Sequence, residues 1–134
     1  MRKGALLVLV VALALLALGA VGGAGATPPA PFVGTWWAVD PTDGSTEQLT
    51  FGTGGSMYFR DNSAYVCGGT SAFAKDTGSL SPDGMMWFGS GNAVLRCPAD
   101  GRTTIGGILF SFTLQPDGSL TGSTGHEVWT RTRP

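Results

Sequence analysis

The sequence predicts an all-β protein: a small antiparallel up-and-down β-barrel of lipocalin-like form, with a two-sheet β-sandwich as the alternative. Apolar stretches of strand length alternate with turn clusters at short, regular intervals, the spacing of an all-β chain. The clusters have specific chemistry: Asp43-Gly44, Gly54-Gly55, Pro82-Asp83-Gly84, Asp100-Gly101, Pro116-Asp117-Gly118 and Thr124-Gly125 tolerate positive φ or preset a tight reversal. No segment carries a helical apolar stripe. Many short strands must each bury one face and dispose of exposed edges, and a closed barrel removes edges altogether.

Residues 1–26 read as a signal peptide, with Arg2 and Lys3 followed by an apolar run from Gly4 to Ala26 that closes in Ala24-Gly25-Ala26. A run of about 20 apolar residues can also serve as a membrane anchor. Gly19, Gly22, Gly23 and Gly25 favour cleavage after Ala26, and no cysteine stands there to take a lipid. The expected product is secreted and extracellular, with no membrane association after cleavage. Residues 27–32, rich in proline, are expected to form a flexible leader, and 33–134 one barrel domain.

Strands are predicted at 33–39, 46–52, 56–61, 63–69, 71–79, 84–89, 92–97, 103–114 with a break at Gly106-Gly107, 118–123 and 125–132. The clearest alternation puts Ile108, Phe110, Phe112 and Leu114 on one face and Ser111 and Thr113 on the other. Glu47, Leu49 and Phe51 share a face in an earlier strand, opposite Thr46, Gln48 and Thr50. Cys67 and Cys97 are the only cysteines, and in an exported chain they are expected to pair as a disulfide.

Cleavage leaves six basic side chains against nine acidic ones, thinly spread. Nucleic acid is therefore not an expected partner, because phosphate binding needs a concentrated basic face.

Gly34-Thr35-Trp36 at the start of the first strand resembles the Gly-x-Trp signature of the calycin superfamily, which includes lipocalins and avidins. The resemblance implies that the first and last strands pair and that a cation on the last strand packs over the tryptophan. Gly34, Trp36 and Arg131 would close the barrel in this way, with Arg133 as the fallback cation. Cys67-Gly68-Gly69 and Trp129-Thr130-Arg131 are similar to segments of small exported bacterial proteins of uncharacterised function. No helix follows the strands as in ligand-carrying lipocalins, and the biotin-site positions of avidins do not map onto the chain, so biotin binding is not expected.

Catalytic signatures are absent. His126 is the lone histidine and has no Gly-x-Ser-x-Gly elbow beside it. Glu47 and Glu127 are the only glutamates, while most aspartates sit in Asp-Gly turns that explain them. Asp40, Asp43 and Glu47 fall near one loop without the spacing of an EF-hand, and no metal or cofactor is expected.

The aromatic set stands out. Adjacent Trp36 and Trp37 cannot both face a core, so one must point outward. The expected function is non-enzymatic binding, by a monomer, of a small apolar ligand or an extracellular partner. The ligand's body would lie among Trp36, Phe51, Phe59, Trp87, Phe110 and Phe112. The alternative is a surface recognition module or inhibitor that meets carbohydrate or protein through Trp37. A hydrolase is the third reading, and it requires His126 or Glu47 in a cleft beside a second titratable group.

Overall fold

The computed structural model describes residues 31–123 and 126–134, which form ten strands and one short 3-10 turn. In chain order the strands are β1 (Gly34–Val39), β2 (Thr46–Phe51), β3 (Ser56–Ala64), β4 (Thr70–Leu80) and β5 (Met86–Gly89). They continue with β6 (Val94–Cys97), β7 (Arg102–Ile105), β8 (Ser111–Leu114), β9 (Leu120–Gly122) and β10 (Val128–Trp129). The predicted expected signal peptide, residues 1–26, and leader residues 27–30 lie outside the described residues.

Eight strands form a barrel-like antiparallel sheet in the order β1-β2-β3-β4-β5-β8-β9-β10. Its ends meet where Trp37 and Thr130 exchange two backbone hydrogen bonds of 2.8 Å. This is the up-and-down arrangement, with one departure. β6 and β7 leave the barrel as a hairpin flap between β5 and β8. β4 is long enough to serve both: Gly78, Ser79 and Leu80 pair with β5, while Phe73, Ala74 and Lys75 pair with β6.

The strand expected at 103–114 is therefore two strands in different parts of the sheet. Gly106 and Gly107 both adopt φ of +77°, a left-handed pair that turns the chain out of the β6–β7 flap before β8 rejoins the barrel. The strands expected at 56–61 and 63–69 also differ from prediction. The first runs on through a register shift between Asp61 and Ala64, and the second is replaced by a 3-10 turn at Tyr65–Cys67 that ends on left-handed Gly68.

Inward positions alternate along the strands as the pleat requires. They gather Trp36, Ala38, Leu49, Phe51, Met57, Trp87, Phe112, Leu120 and Trp129 into one core, joined by Phe32. Phe32 corrects the expected leader. It is 1% exposed, and its carbonyl accepts the Trp36 indole N–H at 2.8 Å, so the folded domain takes in residues before 33.

Cys67 and Cys97 form a disulfide with their Cα atoms 5.4 Å apart. It ties the 3-10 turn to the end of β6 and packs with Ala64, Ala72 and Leu95. Arg102 braces the same corner, donating to the Val66 carbonyl at 2.6 Å. The bond is consistent with an extracellular or otherwise oxidising environment. Among the described residues no helix is long and apolar enough to cross a membrane.

Candidate functional site

At one end of the barrel the inward phase of two adjacent strands runs from apolar side chains onto carboxylates. On β2 the series Phe51, Leu49 continues to Glu47; on β3 the buried positions Met57 and Asp61 have half-buried Phe59 between them. Glu47 and Asp61 are directly opposed in the antiparallel register and are 5% and 7% exposed. Asp40, just past β1, completes a group in which one oxygen from each residue lies within 4.8 Å of the others.

Their hydrogen bonds are uneven. Asp61 Oδ1 accepts the Ser63 N–H at 2.8 Å and the Ser45 hydroxyl at 3.3 Å. Asp40 Oδ1 accepts the Thr42 N–H at 2.6 Å. Glu47 Oε2 is buried with no partner. Burial, and after it the charges of Glu127, Asp61, Asp40 and Asp43, push the Glu47 carboxyl up to about 8. At neutral pH this side chain is therefore mostly protonated.

A cavity of about 100 Å³ opens at this end, lined by Glu47, Phe59, Phe110, Phe112, Gly122, Ser123, Glu127 and Trp129. Its aromatic wall is continuous: Phe59 meets Trp129 edge-on at 6.0 Å, Phe112 meets Trp129 at 6.1 Å, and Phe110 stacks on Phe112 at 6.4 Å. The Trp129 indole nitrogen is buried and lacks an acceptor.

The ring set named from the sequence divides. Phe59, Phe110 and Phe112 meet at this mouth. Phe51 and Trp87 lie toward the opposite end, where a recess of about 230 Å³ is walled by Phe32 and the Gly52–Gly55 turn. Trp36 lines neither space. Between the two ends the rings fill the interior, with Phe51 packed at 5.2 Å from Trp87 and 5.5 Å from Phe112. The six rings therefore enclose no common chamber, because a barrel of this girth is filled by its own side chains.

Trp37 points outward and is half-buried, with the Arg133 guanidinium 4.9 Å from its ring centroid. It lines a polar groove of about 220 Å³ with Thr46, Gln48, Arg60 and Asn62. Another outer groove, of about 370 Å³, runs between Tyr58, Phe73, Lys75 and Arg96. His126 is exposed.

Gly34, Trp36 and Arg131 come together. The Arg131 guanidinium sits 3.7 Å from the Trp36 ring centroid and donates to the carbonyls of Pro31 at 2.8 Å and Thr35 at 3.4 Å. Gly34 adopts φ of +112°, and a Cβ there would stand 2.7 Å from Arg131 Nη1, so the close approach needs glycine.

Asp40, Glu47 and Asp61 are the residues that could hold a cation. A hard divalent ion takes six to eight oxygens, whereas the wall beyond Glu47 is mostly aromatic, with Ser123 and Glu127 as its other polar side chains. Sequence reasoning overlooked Asp61, Glu127 and Trp129 as mouth residues. The usable clue was Glu47 itself, a carboxylate in the same phase as Leu49 and Phe51. No family model, curated protein or solved structure matches this chain.

Proposed function

We propose that this chain is a secreted, non-enzymatic binding protein that holds a small molecule, or the small head of a larger one, in the mouth cavity. The observation that supports this reading is a cavity of about 100 Å³ lined by four aromatic residues together with Glu47, Ser123 and Glu127, beside which Glu47 Oε2 and Trp129 Nε1 are buried without hydrogen-bond partners. Buried polar groups in folded proteins almost always have partners, and each one without costs about 1–3 kcal/mol. A ligand toward which either side chain turns would recover that free energy. The ligand's apolar body is limited to a few atoms by the volume, well below the 300 Å³ or so that drug-sized ligands occupy.

Glu47 also favours a second reading. A carboxyl raised to about 8 beside other carboxylates, in a cleft, has the properties of a general acid, which is hydrolase chemistry. Size argues for binding first. A hydrolase must hold groups on both sides of the bond that it breaks, and this mouth has room for one.

Native mass spectrometry of the protein purified from its secretion medium tests the proposal. The expected result is a retained small molecule that is lost from Glu47→Gln and Phe110→Ala variants with unchanged circular dichroism. Retention by both variants, or release of a chemically altered molecule by the wild type, overturns it.

A further inference from the structure

The mouth has an electrostatic asymmetry that sets the class of ligand. Glu47 and Asp61 are both buried and directly opposed across β2 and β3. Like charges placed so are unfavourable unless one is neutralised. The charged groups around Glu47 are all acidic: Asp40 beyond β1, Asp61 on β3, Asp43 in the β1–β2 loop and Glu127 before β10. The hydrogen bonds to Asp61 come from the neutral groups of Ser45 and Ser63, and the charges that act on Glu47 are those of Glu127, Asp61, Asp40 and Asp43. A proton on Glu47 is one way to relieve this crowding. A bound cation is the other.

Three features separate an organic cation from a metal ion. Asp61 Oδ1 and Asp40 Oδ1 are engaged by Ser63, Ser45 and Thr42, whereas Glu47 Oε2 is buried with nothing to accept. The cavity that Glu47 lines is walled by the Phe59, Phe110, Phe112 and Trp129 rings, with Ser123 and Glu127 as its other polar side chains. Ring faces attract an alkylated ammonium, whose charge is spread over a greasy shell, and offer a divalent ion none of the oxygens that it needs. The cavity of about 100 Å³ is the size of a small alkylammonium head.

Resting on the reading of the mouth as a binding site, we propose that its ligand is a small organic ammonium, its cation against the Glu47 carboxylate and its alkyl groups on the Phe59, Phe110 and Trp129 rings. Binding requires Glu47 to ionise. Because its carboxyl is raised to about 8, uptake of the cation at neutral pH expels a proton, and affinity rises with pH until Glu47 is ionised without help.

Isothermal titration calorimetry of the full mature chain tests this with three probes: choline, its neutral isostere in which a tert-butyl group replaces the trimethylammonium, and calcium chloride. Choline is expected to bind at least roughly tenfold more tightly than the isostere, the worth of a desolvated cation–π and charge contact. Repeating the titration at pH 7 in buffers of different ionisation enthalpy should show nearly one proton released, falling toward none at pH 9. Glu47→Gln should erase the preference for choline while still binding the isostere, which shows that the variant is folded.

Equal binding of choline and isostere by the wild type overturns the ammonium assignment and leaves the mouth a neutral apolar site. Binding of calcium alone overturns it in favour of a metal ion. Failure of all three probes, with no retained molecule in native mass spectra, overturns the mouth reading as well.

Discussion

Glu47 on β2 stands directly across from Asp61 on β3, two buried carboxyl groups paired in register at one mouth of an otherwise apolar barrel. A proton kept on Glu47 relieves the crowding of the pair. The consequence is a stability that depends on pH in the sense opposite to the common carboxylate case.

The Glu47 carboxyl rises from an ordinary 4.5 to about 8 on folding. The folded state then holds a proton that the unfolded chain has released, so stability is fully present below about pH 4.5 and is lost as pH rises toward 8. Solvent at the mouth screens the interaction, and the expected loss is about 2 kcal/mol. Urea denaturation of the ligand-free protein from pH 5 to pH 9 should show it, and Glu47→Gln should flatten the curve and be the more stable protein at pH 8. A wild-type midpoint that climbs over this range would contradict the assignment. Asp43, Asp83 and Asp117, held low by hydrogen bonds to Ser45, Ser81 and Ser119, act in the opposite direction below pH 4.

Arg131 covers Trp36 and donates to the carbonyls of Pro31, ahead of β1, and Thr35, within it. Arg131→Ala should destabilise the fold by about 1–2 kcal/mol, combining the loss of a cation–π contact and of charged hydrogen bonds. Arg131→Lys should recover only part, because an ammonium cannot lie flat on the ring and reach both oxygens. Chemical denaturation of the two variants checks the order; equal losses would mean that charge alone matters there.

The Cys67–Cys97 bond closes a loop with a sequence separation of 30. Cys67→Ser with Cys97→Ser should lower stability by about 3–4 kcal/mol on the chain-entropy account. Thermal melts of the wild type with and without reductant should shift by the same amount, and no shift would show that the flap corner holds without it.

Two glycines without positive φ give opposite outcomes. A Cβ on Gly78 would lie 2.1 Å from the Phe88 carbonyl and 2.5 Å from the Trp87 ring, so Gly78→Ala should cost about 3 kcal/mol or more by overpacking. Gly54 has nothing within 4 Å, and Gly54→Ala should be neutral or stabilising by about 0.5 kcal/mol. Melting temperatures of the two purified variants decide it.

Much of this architecture was legible from local chemistry. Turn residues such as Asp43-Gly44 and Pro116-Asp117-Gly118 mark real reversals, and the alternation of Phe110, Phe112 and Leu114 follows the pleat. The flap was not legible, because nothing near Val94 or Arg96 in sequence announces that their partners are Lys75 and Phe73 rather than β5. Strand pairing is decided by which surfaces can be buried together, and periodicity does not report it. Phe32 was hidden for a related reason: a proline-rich context hid a core anchor. The mouth was half legible. Glu47 stood in an apolar phase, but its partner Asp61 became visible only once β2 and β3 were in register.

β4 spans eleven residues, one half hydrogen-bonded into the flap and the other into the barrel. Neither part can open without fraying a strand that the other uses, so the two, paired in succession along the β4 edge opposite β3, melt as one cooperative unit. The slowest-exchanging amides of the molecule should accordingly run along this strand, and a calorimetric scan should contain a single transition.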